Sequence, residues 1–270
     1  MSRKRFNFAR YKFRSDRLLL SLERRFARMF ARALKEQQKQ FIEHYRETNE
    51  VILPDTLTPI FSEIVEKVGW QGYRMQRQLL DATNKSIFRD TFSMWIDTFI
   101  QTRVSRIVQQ INGTTSKRIN ELITRGFTES WTFEYLVNEF QQAGVFSAGR
   151  GMTVARTTIG AINNEVKEKS MNDWSEEIGE KGNMFKIWIH RGAKHPRDWH
   201  VALDNGIAIR ASDPFVVADT DTGEVELMDK PHSMGASAHN TINCGCEVMY
   251  ITEDYARDAG MLSDDSFRWG

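Results

Sequence analysis

Both cysteines of this chain and five of its six histidines fall between His190 and Cys246. That crowding constrains the fold because it coincides with a change of pattern. Ahead of about Met171, apolar residues recur at helical spacing. From Phe185 onward they alternate in short runs broken by turn signals. A chain written this way is expected to be α+β. An extended, mainly α-helical N-terminal region comes first. A small α+β C-terminal domain with short antiparallel strands follows. The stretches read as a basic arm over 1–14, helices over 15–172, the small domain over 173–252 and a peripheral tail over 253–270.

Ser15-Asp16 can cap a first helix whose apolar face runs from Leu18 through Phe26, Phe30 and Leu34 to Tyr45, roughly 30 residues or about 45 Å. Pro54 breaks it. Thr58 reads as the cap of a second helix with Pro59 at its first position, weakened toward its end by Gly69 and Gly72. A third is expected from near Ser86 to Asn112-Gly113, an αL stop. A short fourth runs from Thr114 or Thr115 to Gly126. A fifth starts at Ser130 to Thr132, and a sixth spans about Ala148 to Met171. No run of about 18 apolar residues predicts a membrane span, and no apolar core follows the basic N-terminus as a signal peptide requires.

The charge is uneven. Residues 1–40 hold thirteen Lys/Arg against three Asp/Glu, so the remaining residues carry −9 within an overall +1. Arg3, Lys4, Arg5, Arg10, Lys12 and Arg14 are interleaved with Phe6, Phe8, Tyr11 and Phe13. Arg24, Arg25 and Arg28 lie on the polar face of the first helix. Basic and aromatic residues mixed in this way fit a nucleic-acid backbone, or an acidic groove on a protein.

In the C-terminal stretch, Phe185–Ile189, Ile207–Ile209, Phe215–Val217, Val225–Met228 and Glu247–Ile251 read as strands. Asp219 to Gly223 reads as the turn of a hairpin. Cys244 and Cys246, spaced C-x-C, are too close for an easy mutual disulfide and too few for a secreted framework, so they read as reduced or metal-bound thiols. On a strand they share one face. With His200 they supply three ligands of a tetrahedral zinc site, the fourth open between His195, His232, His239 and Asp198. The bland alternative is a packed pair of thiols with His200 holding the Asp204 turn. A chemical alternative is a nuclease or hydrolase. There His200 would be general base with Arg156 or Arg197 on an anion, or would activate a nucleophilic cysteine.

One set of residues runs through this whole stretch: Ala155-Arg156-Thr157, Asn163 or Asn164, Trp188, Arg197-x-x-His200, Leu203-Asp204 with Gly206, Phe215, Pro231, and Asn243-Cys244-x-Cys246. In order and spacing they resemble the Mu F-like family of phage head morphogenesis proteins, also called minor head proteins. The resemblance covers about residues 114–251. Thr158 stands where the family has Glu, Asn205 is inserted before Gly206, and Gly245 replaces an Arg. The resemblance implies a non-enzymatic virion protein inside the head near the portal, made in the host cytoplasm. It implies portal, major capsid or scaffold protein and packaged double-stranded DNA as partners. Arg156, Trp188, Arg197, Asp204, Gly206 and Asn243 are its structural signature. A DNA-binding helical protein with a zinc-stapled tail is a further reading of the same residues.

Overall fold

The computed structural model describes residues 8–80, 87–179, 183–192 and 196–262, with the backbone alone over 87–91. Expectations for Arg3, Lys4, Arg5, His195 and a helix start at Ser86 lie outside these residues. The fold is α+β. A long helical region comes first, and a small C-terminal part carries short antiparallel strands in two sheets.

The chain forms two compact units, each drawn from separate segments. One comprises Met1–Leu22, Lys67–Phe88 and Arg156–Gly270, the other Glu23–Glu66 and Arg89–Ala155. These units cut across the four consecutive stretches read from the sequence. The expected boundary at 172/173 falls inside helix α6, Ala148–Ile178, which runs past Met171.

Helix α1 spans Phe8–Thr48 and does not begin at Ser15-Asp16. The reason is that Ser15 is not free to cap: it is buried, and its hydroxyl donates to Glu247 Oε2 at 2.7 Å. Tyr11 is buried too, so residues 8–14 belong to the helix and not to a detached arm. Helix α2, Thr58–Leu79, passes straight through Gly69 and Gly72. Gly72 makes room where α6 comes close; a Cβ there would stand 2.7 Å from Val166 Cγ2. The carboxylate at the start of α2 is Asp55, whose Oδ1 accepts from the N–H groups of Leu57 (3.2 Å) and Thr58 (3.0 Å).

In the second unit, helix α3 (Ile87–Phe99) continues through a π-helical turn at Ile100–Val104 into α4 (Ser105–Thr128). The expected stop at Asn112-Gly113 does not occur. Asn112 spends its side-chain oxygen on Gln37 Nε2 at 3.1 Å, and the Thr114 and Thr115 hydroxyls donate back to Gln110 and Ile111 carbonyls. Such i−4 bonds let threonine sit inside a helix. Helix α5, Phe133–Gln142, starts as expected, with the Thr132 hydroxyl accepting from Tyr135 N–H at 3.2 Å. Phe41, Tyr45, Ile119, Leu122, Val137, Phe140 and Phe146 form the apolar core between these helices. Thr132→Ala is expected to lower stability by about 1 kcal/mol, the usual worth of such a cap, read as a lower urea midpoint at unchanged slope.

The first unit holds the strands. Central β1 (Met184–Ile189) pairs antiparallel with β2 (Ile209–Arg210) and with β5 (Glu247–Thr252), in register Trp188 to Val248 and Ile189 to Glu247. Strands β3 (Phe215–Ala218) and β4 (Val225–Met228) make the expected hairpin. All six β1 residues are buried, so both sheet faces are covered. One face packs Met184, Trp188, Val248 and Tyr250 with the cysteines. The other packs Phe185, Ile187, Ile189, Met249 and Ile251 with Tyr11 and Ala256. The tail is not peripheral in its described part. Ala256 on α9 (Glu253–Asp258) is fully buried, and Ala208 N–H donates to the Met261 carbonyl at 2.8 Å.

Candidate metal centre

His200, Cys244 and Cys246 meet. They are 2%, 3% and 2% exposed, and their ligand atoms lie within 4.8 Å of one another. His200 sits on the short helix α7, Asp198–Ala202, whose first carbonyl bonds tie it back to Arg197. The two sulfurs do not converge by strand alternation as expected, because β5 begins one residue later, at Glu247. They converge through a turn. Asn243 has φ +57, which Asn tolerates better than most residues, and Cys246 N–H then donates to Cys244 Sγ at 3.3 Å.

His200 Nδ1 is 3.5 Å from Cys244 Sγ and 3.7 Å from Cys246 Sγ. Around a tetrahedral ion, a sulfur bound at about 2.3 Å and a nitrogen at about 2.0–2.1 Å stand about 3.5 Å apart. The observed spacing fits ligands sharing an ion, and it fits sulfur–imidazole hydrogen bonds as well.

The tautomer of His200 follows from its neighbours. Trp199 Nε1–H is a donor only and points to Asn240 Oδ1 at 2.9 Å, while Glu226 accepts from Asn240 Nδ2 at 2.7 Å. The Asn240 oxygen therefore faces His200 Nε2, 3.1 Å away, and that nitrogen must carry the proton. Nδ1 is left with its lone pair facing both sulfurs. That lone pair and the two sulfurs are the three donor atoms that an ion placed between them would engage. The group can hold a metal ion, with Asn240 and Glu226 fixing the imidazole as outer partners commonly do. Asn240 is seated by α8, Ala238–Thr241, which Ser237 caps.

Electrostatics single out one thiol. Cys244 is held well below the ordinary thiol range, first by the hydrogen bond from Cys246, then by His200 and His232 acting against burial. Cys246 is pushed well above it by that same bond and by burial.

No family model, curated protein or solved structure matches the chain.

Four of the signature residues, Arg156, Trp188, Arg197 and Asn243, are nonetheless gathered around this centre. Arg156 Nη1 donates to Asn243 Oδ1 at 3.0 Å, and Thr157 Oγ1 accepts from Asn243 N–H at 2.8 Å. Arg197 Nη2 donates to the Ile242 carbonyl at 2.9 Å. Trp188 lies edge-on to both His200 and Phe215, with centroids 5.2 Å away in each case. Asn164 donates to the carbonyls of Pro231 and Cys246 and accepts from Val248 N–H at 2.8 Å. Both guanidinium groups expected as anion stabilisers thus hold the turn that carries the cysteines.

Asp204 does not meet His200. It accepts from Lys12, and Gly206 takes the left-handed φ of +75 that its turn requires. Among the expected partner-binding residues, Lys12 is engaged with Asp204, and Arg25 with Glu63 at 2.9 Å. Arg10, Arg14, Arg24 and Arg28 are exposed along α1. Of the other candidate ligands, Asp198 is exposed, and His239 is half exposed with its Nε2 2.9 Å from Asp219. Sequence reasoning missed Asn240, Glu226 and Trp199. Ser237 three residues ahead of Asn240 was the available signal, since that spacing marks a cap.

Proposed function

We propose that the chain is a minor head protein of the Mu F-like kind, a structural component of a phage head whose C-terminal part is stapled by zinc. The convergence of the resemblance carries this reading. Arg156, Thr157 and Asn164 on one helix, Trp188 on a strand and Arg197 beside α7 all support the same Asn243–Cys246 turn. That these scattered members of the motif hold one turn supports the reading.

Two thiolates and an imidazole are a soft N/S donor set, the kind zinc takes in structural sites. Two thiolates would balance the ion's charge, which suits a centre with no exposure to water. Small domains with limited apolar surface gain most from such a staple. As a catalytic base, His200 would need its free nitrogen turned to substrate; that nitrogen faces the sulfurs instead.

In this reading the virion is the location and the portal, scaffold or capsid protein the neighbour. Packaged DNA meets the exposed arginines of α1. No helix among the described residues is long and apolar enough to cross a membrane. Arg24→Ala with Arg28→Ala is expected to flatten the salt dependence of DNA retention by roughly 2 in log–log slope, about 0.9 for each phosphate no longer neutralised. An unchanged slope would remove these arginines from any DNA contact. Quantitative mass spectrometry of purified particles tests the reading itself: the chain is expected in few copies per head. Its absence from both finished particles and assembly intermediates would contradict a head role.

A further inference from the structure

We infer that His232 is the fourth protein ligand, making a closed Cys2His2 zinc site from His200, His232, Cys244 and Cys246 with no position left for a catalytic water. The inference rests on the zinc reading above and deepens it.

His232 is 8% exposed, and neither of its ring nitrogens has a hydrogen-bond partner. A buried imidazole without partners is costly unless something unseen takes its lone pair. Asn164 Nδ2 donates to both the Pro231 and the Cys246 carbonyls, at 3.1 and 3.2 Å, which holds the residue before His232 against the cysteine turn. Among the candidates that the structure describes, it alone combines burial with unclaimed ring nitrogens.

Its backbone is also held for a purpose. His232 has φ +61, a strained conformation for a side chain of this size. A tight turn fixes it there: Lys230 N–H donates to Ser233 Oγ, Ser233 N–H returns to the Lys230 carbonyl at 3.1 Å, and Asn164 clamps the Pro231 carbonyl at 3.1 Å. Across from the ring stands Gly160, where a Cβ would lie 2.5 Å from His232 Nε2. The helix leaves a gap there for the imidazole.

The charges balance. Two thiolates and two neutral imidazoles around a divalent ion sum to zero, as burial demands. Cys246 N–H donates to the Cys244 sulfur at 3.3 Å, so that thiolate keeps a donor once its own proton is gone.

The test is a cobalt titration of the full chain, read by visible absorption, with zinc competition for affinity. Wild-type protein is expected to bind one cobalt with the intense bands of a tetrahedral site. His232→Asn keeps a residue that tolerates positive φ but removes the ligand. It should bind more than about 100-fold more weakly, beyond the usual loss for an outer partner, with bands weakened toward higher coordination. His239→Ala should match wild type. Gly160→Ala retains every ligand yet drives a methyl into the ring, so it too should weaken binding. Wild-type affinity and spectrum in His232→Asn, or unchanged affinity in Gly160→Ala, would overturn the assignment of His232 and leave the three-residue zinc reading standing. A wild-type chain that binds no metal would overturn both.

Discussion

Lys167→Met is expected to destabilise the protein by about 3–5 kcal/mol. Lys167 and Glu247 are both buried, with Nζ 2.6 Å from Oε2. Glu247 also accepts from Ser15 Oγ at 2.7 Å and Asn163 Nδ2 at 3.2 Å. Burial alone would raise the Glu247 carboxyl, but Lys167 and Arg191, with the bonds from Lys167 and Ser15, hold it below its ordinary range. Burial alone would lower Lys167, but Glu247 and Tyr11 hold it above. Removing the ammonium strands a charged carboxylate in the interior. The double variant Lys167→Met with Glu247→Leu should therefore be no less stable than Lys167→Met alone, since the charge that was stranded is gone. Urea midpoints measure both, and a Lys167→Met variant within about 1 kcal/mol of wild type would show that the pair does not stabilise the fold in this way.

The pH dependence follows from the same directions. A depressed carboxyl contributes stability above its unfolded value, about 4.3, and loses it as pH falls through the lower folded value. A raised lysine contributes fully below about 10.4 and loses it as pH rises through its higher folded value. In Lys167→Met, Arg191 and the Ser15 bond still oppose burial but the largest opposing charge is gone, so the carboxyl rises and protonation relieves the variant. The stability gap to wild type should narrow as the pH is lowered toward about 4.

The second large effect concerns the metal. Bound zinc is expected to add about 4 kcal/mol when its free concentration is a thousandfold above the dissociation constant. Chelation should remove that stabilisation, and Cys244→Ser should be insensitive to chelator from the outset. Equal melting of wild type with and without chelator would contradict the staple.

Much of this was legible in the residues. The residue pattern over Phe185–Ile189 and the Asp219–Gly223 turn marked β1 and the β3–β4 hairpin; period-two burial is seen in β3, whereas β1 is buried on both faces. His200 and the two cysteines were legible as a group by chemistry alone. What failed was local punctuation overruled by tertiary bonds. Ser15 reads as a cap until Glu247 takes its hydroxyl, and Asn112-Gly113 reads as a stop until Gln37 engages the amide. Lys167 carries no local mark of its burial. Its partner lies at the head of an apolar strand 80 positions away. A lone carboxylate before Val248–Ile251 was the one clue. The fourth ligand was narrowed but not chosen, since burial and the unclaimed nitrogens of His232 exist only in the fold.

Native mass spectrometry of the full chain, purified without chelator, tests the central claim most directly. The account predicts one zinc ion per folded wild-type chain and none on Cys244→Ser. A wild-type chain that is folded and carries no metal would contradict it.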